Sequence, residues 1–163
     1  MSHAWLGIGS NVDAERNVRA ALAALRSEFG DLRLSPVYRS RAVGFDGDDF
    51  INLVARIETE RSPEKLQEWL RELEDAHGRQ RDVPKFSDRV LDVDILLYDD
   101  RVLDRPGLQL PRPEILTFAH VLRPLAELSP ELRHPLDGRT MAQLWAASDL
   151  RSVALDPLPG GWD

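Results

Sequence analysis

The chain of 163 residues contains no cysteine. That excludes disulfides, thiolate nucleophiles and cysteine-based zinc or iron–sulfur sites, and it fits a reducing compartment. No run approaches the roughly 18 apolar residues that a membrane-spanning helix requires. The opening Met-Ser-His-Ala-Trp-Leu-Gly-Ile-Gly lacks the basic region and apolar stretch of a signal peptide, so a cytoplasmic location is expected. Positive charge is in deficit. Lys and Arg number 21 against 28 Asp and Glu, a net charge of −7, which argues against a broad nucleic-acid or anionic-membrane surface. Internal repeats and low-complexity segments are also missing. With 42% hydrophobic and 30% charged residues, the length fits one domain over residues 1–163.

Within this acidic chain, positive charge is concentrated in one place. Arg79, Arg81, Lys85 and Arg89 fall within a single loop-like stretch, immediately before Asp92 and Asp94. Leu91 to Tyr98 has the branched apolar composition of a β-strand. Alternation places Asp92, Asp94, Leu96 and Tyr98 on one face and Val93, Ile95 and Leu97 on the other, which is expected to be core. Carboxylates two residues apart on a strand lie roughly 7 Å apart. They can converge on two Mg²⁺ ions about 4 Å apart, an arrangement that clamps a transferring phosphoryl group. An Asp-x-Asp pair alone is equally the mark of a strand with a solvated end. The basic loop beside it points instead to a small polyanion.

The remaining elements follow from local patterns. His3 to Gly9 reads as a strand ending in Gly-Ile-Gly-Ser-Asn, and the third glycine of a dinucleotide fingerprint is replaced by Val12. Asn11 or Asp13 can cap a helix with the apolar stripe Val18, Ala21, Leu22, Leu25 and Phe29. Leu32 to Val43 is expected as a strand, Gly44 to Asp49 as a turn and Phe50 to Thr59 as a third strand. Its polar Asn52 lies on the face that also carries Phe50 and Val54. Ser62-Pro63-Glu64 starts a second helix that ends at Gly78. Beyond Tyr98 come a short edge strand over Arg101–Leu103 and a proline-punctuated loop. Helices are expected over Ile115–Glu127 and Thr140–Ala147, and the Pro- and Gly-rich tail from Asp156 is expected to be loosely held. The order predicts an α+β fold, a ferredoxin-like βαββαβ sandwich with a C-terminal helical extension.

Six blocks in this order resemble the 6-hydroxymethyl-7,8-dihydropterin pyrophosphokinase family of folate biosynthesis. They are Leu6-Gly7-Ile8-Gly9-Ser10-Asn11, Tyr38-Arg39-Ser40 with Gly44, Phe50-Ile51-Asn52 with Glu58-Thr59, Gly78-Arg79-Gln80-Arg81, Arg89 to Tyr98, and Val121 to Glu127. The resemblance covers about residues 4–135, leaving residues 136–163 as a C-terminal helix and tail. It implies transfer of the diphosphate of ATP to the pterin hydroxymethyl group with release of AMP, two Mg²⁺ ions, small-molecule substrates and a monomer. By the same resemblance Asp92 and Asp94 hold the metals, and Arg79, Arg81 and Arg89 join them as catalytic residues. Ser40, Val43, Phe50, Asn52 and His120 take the pterin, and Glu74, Lys85, Phe86, Ile95 and Arg112 contact ATP.

Five positions depart from the pattern the resemblance implies: Lys85 and Phe86 stand where the family usually has Arg-Trp, Arg112 where it has His, Phe118 where it has Arg, and His120 where it has Phe. The loop after Gly44 is about one residue shorter. Two other readings share these residues: a non-catalytic pterin- or nucleotide-binding paralogue, and a pyrophosphokinase for a different acceptor. An RNA-binding sheet is disfavoured by the net charge and by the lack of paired aromatic motifs on adjacent strands.

Overall fold

A computed structural model describes residues 1–78 and 86–162. Arg79, Arg81 and Lys85, three of the predicted site residues, therefore lie outside the described residues. Mixed α and β structure is built on an antiparallel sheet. The chain runs β1 (Ser2–Ser10), α1 (Ala14–Phe29), β2 (Arg33–Leu34), β3 (Tyr38–Ser40), β4 (Phe50–Thr59), α2 (Pro63–Ala76) and β5 (Asp92–Tyr98). A hairpin of β6 (Leu103–Arg105) and β7 (Leu108–Leu110) follows, then α3 (Ala119–Leu128), α4 (Met141–Ala146) and β8 (Asp156–Pro157). The main sheet has the order β5-β1-β4-β3-β8, with β2 also paired to β4.

Local chemistry accounts for the regular elements. Ser62 accepts a hydrogen bond from the Lys65 amide (3.2 Å), Pro63 presets the first turn, and α2 buries Leu66, Leu70 and Leu73 against the sheet. At its far end the His77 Nδ1 donates to the Leu73 carbonyl (2.9 Å). α4 begins with a reciprocal cap between Thr140 and Gln143. The start of α1 differs from expectation: neither Asn11 nor Asp13 caps it with a side chain, and Asp13 itself is left-handed at φ 47°. Asn11 is committed elsewhere, as described below.

Helices cover both sheet faces. On one side Val18, Ala21, Leu22 and Leu25 of α1 and the α2 leucines pack on Leu6, Ile8, Leu53, Ile57, Val93 and Ile95. On the other, Leu122 and Leu125 of α3 and Met141 and Leu144 of α4 pack on Trp5, Val54, Leu96 and Leu97. Burial of this kind is worth roughly 1.5–3 kcal/mol per large apolar side chain.

Several expectations are corrected. The strand over Leu32–Val43 is two short pieces, because Pro36 cannot donate to a ladder. Ser35 instead bonds the next strand through its amide to the Val54 carbonyl (2.9 Å) and through its hydroxyl from the Val54 amide (2.8 Å). In β5 the alternation breaks: Trp5 faces Leu97 and Leu6 faces Ile95, so Leu96 is an extra residue. Tyr98 consequently joins the core formed by Val93 and Ile95, and Leu97 joins the opposite one. The hairpin replaces the edge strand over Arg101–Leu103. The predicted helix from Ile115 is a 3₁₀ turn over Pro113–Leu116 followed by α3. The tail is docked, not loose: the Leu158 amide donates to the Val37 carbonyl (2.8 Å) and Trp162, 9% exposed, reaches the first core.

Candidate active site

Glycine opens the site. On β1, Ala4, Leu6 and Ile8 point into the first core, which leaves Gly7 and Gly9 on the opposite face. There a Cβ on Gly9 would come within 2.7 Å of the Asn52 Oδ1, its partner across the ladder, and one on Gly7 within 3.3 Å of Leu96. With no side chain at either position, the sheet face beyond the reach of α3 and α4 remains concave.

The resulting cavity, about 280 Å³, is lined by Gly7, Gly9, Ser40, Val43, Phe50 and Asn52 from the sheet and the loop after β3. Phe86 and Arg89 come from the segment leading into β5, Asp92 and Asp94 from β5 itself, Arg112 and Phe118 from the approach to α3, and His120 from its first turn. All five predicted pterin residues thus line one cavity together with both aspartates. Asn52 is buried and donates through Nδ2 to the Ser40 hydroxyl (2.6 Å), which fixes its amide and leaves one N–H and the Oδ1 for other partners. The His120 ring stacks on Phe118 at 5.1 Å and 23°, and burial lowers its pKa to about 4, so the ring is uncharged at physiological pH and keeps one N–H donor and one acceptor nitrogen.

A second, polar groove of about 380 Å³ adjoins the first, lined by Gln67, Arg71 and Glu74 of α2, Arg105 and Gly107 of the hairpin, and Asp94, Arg112 and Glu114. Asp94, Arg112 and Glu114 belong to both. Arg112 is held between them, its Nη2 3.7 Å from the Asp94 Oδ1 and its Nε 2.5 Å from the Glu114 Oε2. Arg89, largely buried, approaches Asp92 at 3.9 Å.

Two predicted ATP residues sit differently from what their assignment suggests. Ile95 is 2% exposed, packs in the first core and lines neither cavity. Glu74 reaches the polar groove, but its buried Oε2 accepts from the Val93 amide (2.9 Å) and so anchors the backbone between the two aspartates. Glu114, which lines both cavities, is not among the residues that sequence reasoning singled out. Glu114 follows two prolines in an irregular segment, where no periodicity marks a face.

Comparison with known proteins settles the family. Residues 5–130 match the family model for 7,8-dihydro-6-hydroxymethylpterin-pyrophosphokinase. The chain belongs to this family. A 2-amino-4-hydroxy-6-hydroxymethyldihydropteridine pyrophosphokinase of Pseudomonas aeruginosa is 38% identical over 160 residues, covering 96% of both chains. One from Haemophilus influenzae is 32% identical over 162 residues, covering 96% of this chain and all of that one. In fold, the chain is similar to wild-type Plasmodium falciparum HPPK-DHPS, with a TM-score of 0.70 at 13% identity over 89% of its length. It spans 44% of that longer chain. As members of this pyrophosphokinase family go, the sequence is thus matched along nearly its whole length.

Proposed function

We propose that this chain transfers the diphosphate of ATP to 6-hydroxymethyl-7,8-dihydropterin. The pterin hydroxymethyl oxygen forms a bond to the β-phosphorus of ATP while the bridge to the α-phosphorus opens. AMP leaves with the bridging oxygen, and the hydroxyl proton is released to water or a base. The observation that carries the reading is the junction: an aromatic-lined cavity and a polar groove share Asp94, Arg112 and Glu114. A flat heterocycle in the first and a nucleotide in the second would meet there, and holding two reactants in register supplies much of the acceleration in such transfers.

In this reading Phe50 and His120 offer ring faces to the pterin, Asn52 offers a donor and an acceptor to its amide-like edge, and Ser40 and Val43 complete the pocket. Arg112, with Arg79, Arg81, Lys85 and Arg89, offsets phosphate charge, Arg112 through a planar fork of donors. Glu74 borders the nucleotide from the groove and Phe86 from the wall of the first cavity, and Ile95 contributes through its backbone.

The acidic pair also suits a metal. Among the described residues no three carboxylate or imidazole groups converge as a protein-built metal cage. Asp92 and Asp94 supply only hard oxygens, partly open to the cavity. That is the donor set of Mg²⁺, which takes one or two carboxylates and completes its shell with water and substrate phosphate. We assign two such ions to Asp92 and Asp94; when bound they would neutralise and align the phosphates.

The strand order, with β1 between β4 and β5, supports a ferredoxin-like sandwich over β1 to β5. α3, α4 and the tail extend it within a single monomeric domain, and an ATP-consuming reaction fits the cytoplasm. A ³¹P NMR time course with ATP, Mg²⁺ and the reduced pterin tests the proposal. AMP and a pterin diphosphate should appear together and vanish with EDTA, and Asp94→Asn should abolish both while remaining folded. Intact ATP in the presence of bound pterin would overturn it.

A further inference from the structure

Asn11, at the end of β1, is 4% exposed and carries neither a helix cap nor a cavity wall. Its side chain instead joins two segments that are remote in sequence. The Nδ2 donates to the Asp48 carbonyl (3.2 Å) in the loop after β3 and to the Asp88 Oδ1 (2.8 Å), and the Oδ1 accepts from the Arg89 amide (2.7 Å). The Asn11 amide also donates to the Arg89 carbonyl (3.0 Å). Both amide hydrogens and the carbonyl oxygen are used, so Asn11 satisfies its full donor complement in one place.

The same two segments meet through glycine. A Cβ on Gly44 would lie 3.1 Å from the Phe86 ring and one on Gly47 2.8 Å from the Asp88 Oδ1, so the chains touch at the two residues that lack side chains. Each segment supplies cavity wall: Phe45 from one, Phe86, Ser87 and Arg89 from the other. Phe45 in turn meets Phe50 edge-on at 6.3 Å.

We infer that Asn11 is a positioning residue that locks residues 44–49 and 86–89 to the end of β1 as one unit, setting the aromatic and arginine walls of the cavity together. Its kinetic consequences rest on the pyrophosphokinase reading; the coupling itself does not. Asparagine is required because aspartate has no donor for Asp48 and would set a second carboxylate against Asp88, while alanine leaves the Arg89 amide without its side-chain acceptor.

Hydrogen exchange on the full chain tests this without reference to turnover. Asn11→Ala should raise exchange at least tenfold in both 44–49 and 86–89 and leave the middle of β4 and α2 unchanged. A donor–acceptor swap distinguishes a specific link from general loosening. Asn11→Asp should free both segments, and adding Asp88→Asn should restore protection in 86–89 alone, because the new amide at 88 can donate to the new carboxylate while nothing donates to the Asp48 carbonyl. Protection unchanged in either segment of Asn11→Ala, exchange raised evenly through the chain, or failure of the swap to restore 86–89 would each overturn the inference. In turnover, Asn11→Ala should lower kcat/KM for the pterin at least tenfold at a temperature where it is fully folded, and the swap should recover part of that loss. If the wild type itself has no turnover, the functional reading fails while the exchange result still decides the coupling.

Discussion

His120 provides a sharp test of the cavity's chemistry, because its burial ties stability to pH. In the folded chain its pKa is lowered from 6.5 to about 4 by desolvation. Once unfolded, the same ring titrates near its ordinary value. Between these values the unfolded state holds one proton more than the folded state, so stability falls as pH falls through that window and is fully retained above about pH 7. Taking 6.5 and about 4 as the two values, linkage gives a loss of about 2 kcal/mol by pH 5 and about 3 kcal/mol once pH is below both.

His120→Phe removes the titration while keeping a ring to stack on Phe118. Urea unfolding of both proteins at pH 7.5, 6 and 5 isolates the effect. His134, whose pKa burial also lowers, and every carboxylate remain in both proteins and cancel in the difference. The variant should lose about 2 kcal/mol less than the wild type between pH 7.5 and 5. Phe118→Ala opens one face of the imidazole to water, so its ¹H–¹⁵N titration should move upward toward 6.5. Equal acid sensitivity of wild type and His120→Phe, within about 0.5 kcal/mol, would refute the view that the partly buried His120 is desolvated and neutral.

Three further substitutions probe the frame of the site. Gly9→Ala pushes a methyl group against an Asn52 held by Ser40; it should cost about 1–3 kcal/mol and raise KM for the pterin more than it lowers kcat, as steady-state kinetics would show. Glu74→Ala strips the Val93 amide of a buried carboxyl acceptor and should cost about 1–3 kcal/mol in urea, with a fall in turnover that Glu74→Gln largely spares. Trp162→Ala removes a buried ring that lies under Arg19 at 4.3 Å. Its Nε1 has no partner among the described residues, which offsets part of the loss, so the expected cost is about 2–3 kcal/mol; a cost below about 0.5 would mean the tail is not docked in solution.

What the sequence disclosed and what it withheld divide along a physical line. Phe50–Thr59 was legible to the residue because one face must be apolar at every second position, and α2 because Ser62-Pro63 and its leucines obey local rules. The Asp92/Asp94 face was legible for the same reason, up to Leu96. There the bulge is set by pairing with Trp5 and Leu6, some 90 residues away, and no local pattern encodes it. Asn11 as a helix cap and the tail carrying Trp162 as loosely held were misread in the same way, each spending its hydrogen bonds or area on a partner remote in sequence.

Three of the departures from the pattern that the resemblance implies make sense only in three dimensions. Taken singly, Arg112, Phe118 and His120 replace a histidine, an arginine and a phenylalanine, and each looks like a loss. As a set they are the same three side-chain types in rotated order, all lining one cavity. Aromatic surface is kept because Phe118 stacks on His120, and burial keeps that imidazole uncharged. A permanent cation is kept because Arg112 stands at the junction, between Asp94 and Glu114. A cation and two stacked rings are therefore present in this wall. On the proposed reading the site keeps its chemistry while the residues supplying it change places, so Phe118→Arg alone should harm this chain: it would unstack His120 and set a second guanidinium in a wall that already holds Arg112.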